Sequence, residues 1–175
     1  MPEPLGLESK TVKVVPYDER WPALFDEEAG RIRDAVLRAR LPELKLEHVG
    51  STSVAGLAAK PILDIAAGCP SNAKSLDYVA ALESVGYTYR GDGGLAGREF
   101  FRRGKVRSHH LHLVEDGGLH WQRYLRFRDI LRDRRDVRDA YADLKLRLAR
   151  RYPRDREAYI EGKTQFVEQV VGTVR

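Results

Sequence analysis

The eight residues from Pro61 to Gly68, PILDIAAG, limit what this chain can fold into more than any other stretch. So short and apolar a run reads as a buried strand, and a single carboxylate, Asp64, interrupts it. Side chains alternate along a strand, so Ile62, Asp64 and Ala66 share one face while Leu63, Ile65 and Ala67 share the other. A carboxylate in that setting is costly unless it is paired or bound to a metal, which marks Asp64 as a functional candidate. Lys60, just ahead of the strand, fits equally as its structural partner or as a phosphate ligand.

Around this strand the pattern is mixed in the first two thirds and helical in the last. Thr11–Tyr17 alternates like a first strand, and residues 21–41 carry Leu24, Ile32, Val36 and Leu37 at helical spacing, with Pro22 suited to the first turn. A short strand is expected over Leu44–Val49, then a helix opening at Gly50–Ser53, and a helix over Ser71–Val85 capped by Ser71 with Leu76 on its apolar face. Tyr87–Tyr89 suggests an edge strand, Gly91–Gly97 a mobile glycine-rich loop, and Arg98–Arg103 with Ser108–Glu115 a hairpin turning near Gly104. Helices are expected over residues 120–132, 137–150 and 153–171. The order fits an α+β fold, a mixed sheet covered by helices with a helical C-terminal third, rather than repeated βαβ units.

At 175 residues, 42% hydrophobic and 33% charged, the chain has the length of one domain, 1–175, with residues 1–10 expected to be flexible. No apolar run approaches a membrane span, and the N-terminus lacks a secretory pattern, so a cytoplasmic protein is expected. The lone Cys69 has no partner for an internal disulfide and reads as a small buried residue. Residues 119–156 carry thirteen Arg and Lys against six Asp, a net of +7, and residues 98–107 carry a net of +4. This asymmetry suits an anionic partner, and equally a solvated helical face.

Three further groups carry candidate chemistry. In EHVGSTS a strand stops at Gly50, and Ser51 and Thr52 follow; the turn offers backbone N–H groups and hydroxyls to a phosphate, or simply caps a helix. In SHHLHLVE, His110 and His112 share a face, suited to zinc, iron or manganese beside Asp64, to general-base or phosphate contacts, or to plain structural hydrogen bonding; His109 reads as structural, and His48 as able to orient the turn. Arg98 and Arg102 alternate onto one face with Phe100 between them, the pattern of a phosphate clamp or of pairing with surface acids. Tyr141 and Lys145 lie four apart, as do Tyr159 and Lys163, so each pair shares a helical face.

The run HVGSTSVAGLAAKPILDI at His48–Ile65, the SHHLHLVE strand and the spacing of Tyr141, Lys145, Tyr152, Arg156, Tyr159 and Lys163 together resemble the GrpB family. That family belongs to the nucleotidyltransferase superfamily and also occurs appended to some bacterial dephospho-CoA kinases. The resemblance implies an active-site face built from the Gly-Ser turn, the aspartate strand and a later strand, with a nucleotide and a small-molecule acceptor as partners. In this sequence Gly50 and Ser51 match the superfamily's phosphate-binding turn and Asp64 its metal-binding carboxylate, and Thr52, Lys60, Arg98, Arg102, Lys145 and Lys163 are the further phosphate contacts expected around them. A divalent metal, magnesium or manganese with zinc as an option, is expected at Asp64, His110 and His112. One departure stands out: the superfamily pairs two carboxylates on the aspartate strand, and here the partner position is Ala66 or Ile62, neither a magnesium ligand.

The expected activity is metal-dependent transfer of a nucleotidyl group from an NTP, or NTP-dependent activation of the acceptor, by a monomer or homodimer. A non-catalytic nucleotide- or CoA-like ligand-binding or scaffolding module of the same fold is the alternative. A cupin-like oxygenase fails because Glu115 follows His112 too closely and the C-terminal helices are foreign to a β-barrel. Nucleic-acid binding is unlikely on sequence, because the basic C-terminal third lacks an aromatic RNA-binding strand.

Overall fold

In a computed structural model of the chain, residues 4–172 are described. A helix, α1 (Trp21–Arg38), precedes strands β1 (Lys45–Val49) and β2 (Leu63–Cys69); a short helix α2 (Val79–Glu83) precedes β3 (Tyr87–Tyr89), β4 (Arg98–Arg103) and β5 (His109–Glu115). Three helices close the chain, α3 (Leu119–Asp133), α4 (Arg135–Arg151) and α5 (Arg156–Val171). The five strands form one sheet in the order β1-β2-β5-β4-β3, with β2 and β5 parallel at its centre and the other pairs antiparallel. The fold is α+β with a helical C-terminal part, as expected.

The two faces of the sheet are covered differently. Ile65 and Ala67 of β2, Leu111 and Leu113 of β5 and Phe101 of β4 pack with Ile32 and Val36 of α1 and Leu82 of α2 into the main core. On the opposite face Ala66, Val49 and Val114 pack under Trp121 of α3. Next to that patch lies a lateral row in which Val49, Asp64, His110 and Arg102 are successive cross-strand partners, so the polar residues of three strands meet on one face.

Several expected elements are shorter or absent. Thr11–Tyr17 makes only an isolated bridge, Val15 to Ala59; Pro16 has no N–H for a ladder, and the Val12 N–H bonds instead to the Pro153 carbonyl of the far C-terminal segment. The helix expected after Gly50 is a single 3₁₀ turn, Ser51–Ser53, because the chain must run extended to pair Ala59 with Val15. The helix expected over Ser71–Val85 shrinks to a 3₁₀ turn at Ser75–Tyr78 and α2, with Leu76 exposed. Buried Tyr78 pins this segment by donating its hydroxyl to the Pro42 carbonyl. Helix α5 begins at Arg156 rather than Pro153, since Asp155 caps it by accepting the Ala158 N–H. Within the N-terminal segment expected to be flexible, Leu7 is buried and exchanges backbone hydrogen bonds with Arg107; residues 1–3 lie outside the described residues.

Candidate active site

The polar row of the sheet opens into a cleft of about 200 Å³ roofed by α4 and α5. Gly50, Ser51 and Thr52 form one wall, Asp64 and His110 the floor, and Lys60, Lys145 and Lys163 with Arg156 the cationic side. Six of the eight expected phosphate ligands therefore share one cavity with Asp64 and His110.

The Gly-Ser turn is held from several sides. Gly50 sits at φ +69° and ψ −171°, a region essentially reserved for glycine. A Cβ there would come within 2.8 Å of Asp64 Oδ2, so the missing side chain is what lets the turn lie against the carboxylate. Thr52 is buried, its Oγ1 is 2.9 Å from His48 Nε2, and the His48 ring stacks on Phe25. Burial lowers His48 to about 4, so the ring is neutral and orients the turn, as one reading of the sequence had it. The Thr52 hydroxyl is thereby engaged within the protein. Arg132 donates to the Ser53 carbonyl, and Arg128 to Glu47 and the His48 carbonyl, tying α3 to the turn.

Asp64 Oδ1 lies 3.2 Å from His110 Nδ1 and 3.3 Å from His112 Nε2. Burial pushes the Asp64 carboxyl up, but the two imidazole hydrogen bonds outweigh it and hold the group below the usual carboxylate range. An ionised carboxylate only accepts, so His110 Nδ1 and His112 Nε2 carry the protons. Burial, opposed by Asp64, keeps His110 below its ordinary value and hence neutral at pH 7. Its Nε2 is then an acceptor, buried and without a hydrogen-bond partner. His112 is set back from the cleft, with Nδ1 3.4 Å from both Arg98 and the Tyr124 hydroxyl.

Each cleft lysine lies over a tyrosine ring: Lys145 over Tyr141 at 4.7 Å, and Lys60 and Lys163 over Tyr159 at 5.1 and 4.6 Å. The lysine–tyrosine spacing in the sequence anticipated two of these stacks; Lys60 on Tyr159 joins distant segments and carried no local signal. Burial, then the neighbouring Lys163, lowers Lys60 to about 7; burial lowers Lys163 to about 8, with Asp64 opposing in both. Lys145, 1% exposed, is driven well below its ordinary value by burial and by Lys163 and Lys60; it donates to Ser51 Oγ at 2.9 Å and to the Ala58 carbonyl.

Arg98 and Arg102 are not brought to this cleft. Both guanidinium groups lie against Phe100, Arg98 donates to the Asp92 and Gly93 carbonyls of the glycine-rich loop, and Arg102 lines a separate cavity. Nor is a three-ligand metal set formed: among the described residues no group of three or more His, Cys, Asp or Glu is arranged to hold a metal ion. The two imidazoles face the carboxylate as hydrogen-bond donors rather than a common centre. Asp64 Oδ2, beside Gly50, is the oxygen left for a hard cation. One carboxylate with waters and nucleotide phosphates is a donor set that suits magnesium.

A polar sheet face with a Gly-Ser turn and an aspartate strand beside it defines a nucleotidyltransferase-like fold. The structure of Cid1, described as providing a basis for its RNA terminal uridylyl transferase activity, superposes with a TM-score of 0.50 at 16% identity, covering 79% of this chain and 44% of that one. That likeness concerns the fold alone. More narrowly, residues 11–172 match the GrpB protein family, and the chain belongs to it. The crystal structure of the conserved protein GrpB from Enterococcus faecalis has a TM-score of 0.82 at 32% identity, covering 91% of this chain and 95% of that one. A UPF0157 protein of Pseudomonas aeruginosa is 43% identical over 166 residues, 92% of this chain and 66% of its own length. The chain spans 46% of the length of the UPF0157 protein YqkA of Bacillus subtilis, to which it is 35% identical. In the described residues no helix is long and apolar enough to cross a membrane.

Proposed function

We propose that the chain is a nucleotidyltransferase-like enzyme that seats a nucleoside triphosphate in the cleft and transfers its nucleotidyl group to a small-molecule acceptor, in the cytoplasm where NTPs are made. The observation that carries this reading is the convergence of Gly50, Ser51, Lys60, Lys145 and Lys163 on the cavity floored by Asp64 and His110. Lysines depressed by burial are kept there at a cost that an anionic ligand relieves. The triphosphate lies against the Gly50–Ser51 backbone and the three lysine amines, and Asp64 would hold the divalent ion, magnesium or manganese, that arrives with it. When bound, that ion neutralises phosphate charge as a Lewis acid.

His110 is the base this geometry supports. Asp64 fixes its tautomer through Nδ1, and the ring, which lines the cleft, keeps Nε2 as an unpartnered acceptor. An acceptor hydroxyl there gives its proton to Nε2, its oxygen bonds the α-phosphorus, the bond from the α-phosphorus to the bridging oxygen breaks, and pyrophosphate leaves. His112 is a positioning residue that shares Asp64 Oδ1 and is braced by Arg98 and Tyr124. Zinc at Asp64, His110 and His112 would need those imidazoles to leave their hydrogen bonds.

One observation favours the second reading, a binding module without turnover: the side chains flanking Asp64 on its face are Ile62 and Ala66, so the second magnesium-binding carboxylate is missing. Isothermal titration with ATP, GTP and CTP, with Mg²⁺ or Mn²⁺ and then EDTA, on the natural chain and Asp64→Asn, separates the two. Metal-dependent binding lost in Asp64→Asn supports the enzyme; binding indifferent to EDTA and to Asp64→Asn, with no product, supports the module; no nucleotide binding sinks the enzyme and leaves a CoA-like binding or scaffolding module.

A further inference from the structure

Arg156 lines two cavities. One is the cleft above; the other, of about 450 Å³, is walled by Lys10, Arg102, Arg107 and Arg154 as well. Against these five cations stand only Asp155, whose Oδ1 caps α5, and Glu157. Among the described residues none of the five forms an ion pair. Arg107 is 7% exposed, and only its Nη2 is satisfied, by the Glu8 and Thr11 carbonyls; its Nε and Nη1 are buried with no partner. The Nε atoms of Arg102 and Arg156 are likewise buried and unpartnered. Burial lowers Arg102 and Arg107 below the usual arginine value, and Arg156 repels both.

A buried guanidinium without a carboxylate is an expensive arrangement; Arg107 is one, and the half-buried Arg102 and Arg156 line the same cavity, each with a buried Nε donor unspent. They arrive from separate directions: Arg102 from β4, Arg107 from the β4–β5 connection, Arg156 from the start of α5. Forks converging from several sides suit a tetrahedral, multiply charged anion better than a planar carboxylate. We propose that this cavity is a second anion site, separate from the cleft and sharing Arg156 with it, that takes a phosphoryl group. The group belongs either to a phosphorylated acceptor or to the far end of the nucleotide's own phosphate chain. The site also gives Arg102 a role that the cleft does not.

The test is titration of the full chain with inorganic phosphate and with pyrophosphate, alone and after saturation with ATP and Mg²⁺. The variants are Arg154→Glu at the exposed rim, Arg102→Gln on the strand and Lys163→Gln in the cleft, with thermal melting to confirm that each folds. Arg154→Glu and Arg102→Gln are expected to weaken pyrophosphate about tenfold or more, the scale of a lost charge-assisted hydrogen bond, and by more than Lys163→Gln, which removes a contact of the cleft alone. Pyrophosphate that still binds after ATP identifies the acceptor's phosphate as the natural occupant; pyrophosphate displaced by ATP, with the same dependence on Arg102 and Arg154, identifies the nucleotide's. Absence of phosphate and pyrophosphate binding, or binding weakened by Lys163→Gln and not by the arginine variants, overturns the proposal. Neither result bears on whether ATP enters the cleft, which the ATP titration reads separately.

Discussion

Lys145 of α4 places its Nζ 2.9 Å from Ser51 Oγ, across 94 residues of sequence, and so clamps the Gly-Ser turn from above. The same amine donates to the Ala58 carbonyl, so the segment from the turn to β2 hangs from one buried lysine. Opposite it, Gly50 lets the turn touch Asp64. The cleft is thus built between a helix and a sheet that meet through this turn, and the cationic side of the site depends on the C-terminal helices staying docked.

Gly50→Ala should destabilise the chain by about 1–3 kcal/mol, because alanine is strained at that backbone geometry and its methyl group meets Asp64. Gly56→Ala is the control: φ is +75° there, but nothing lies within 4 Å, and a cost of about 1 kcal/mol is expected. Urea denaturation of both variants reads the difference, and equal losses would refute the close packing of Gly50 on Asp64.

Stability should rise with pH between about 7 and 9. Lys60 at about 7 and Lys163 at about 8 lie below their ordinary 10.5, so over that window the unfolded chain binds more protons than the folded one. The penalty is full below the folded values and fades as pH approaches the unfolded value. Lys163→Met should flatten the slope. A nucleotide reverses the preference, since it binds the charged amines: its affinity should fall as pH rises from 7 to 9, and binding at pH 8 should take up protons, seen as a dependence of the titration heat on buffer.

His110→Gln should leave nucleotide affinity within about threefold and cut turnover by about 10²–10⁴, the range of a lost general base. His112→Gln should act more weakly on turnover and through Asp64. Steady-state rates beside binding constants separate the two, and a His110→Gln protein with unchanged turnover would remove His110 from the mechanism.

Local pattern carried much of this into the sequence. Alternation put His110 with His112 on one face of their strand and Asp64 with Ile62 and Ala66 on one face of its own, because side-chain direction in a strand is fixed by parity, and the i, i+4 spacing of Tyr141 with Lys145 survived for the same kind of reason. The parallel register of β2 and β5 then brings the two strand faces together. What depended on distant partners was not legible. Arg128 and Arg132 read as solvated charge on a basic helix, yet they hold β1 and the turn through Glu47 and the His48 and Ser53 carbonyls. Arg98 and Arg102 looked like a clamp because parity placed them beside the histidine strand, but Phe100 and the glycine-rich loop engage Arg98, and Arg102 turns to a second cavity. The helices expected after Gly50 and from Ser71 gave way to contacts that propensity cannot see, the Val15–Ala59 bridge and the Tyr78 anchor.

The most direct measurement is a two-dimensional amide NMR titration of the labelled chain with ATP and Mg²⁺. The nucleotide reading predicts that the amides of Gly50, Ser51, Lys60, Asp64 and Lys163 shift together and saturably, and that those of Ile32, Leu41 and Leu46, which line an apolar pocket between α1 and β1, stay still. Shifts confined to that apolar pocket, or no shifts at millimolar nucleotide, would contradict it.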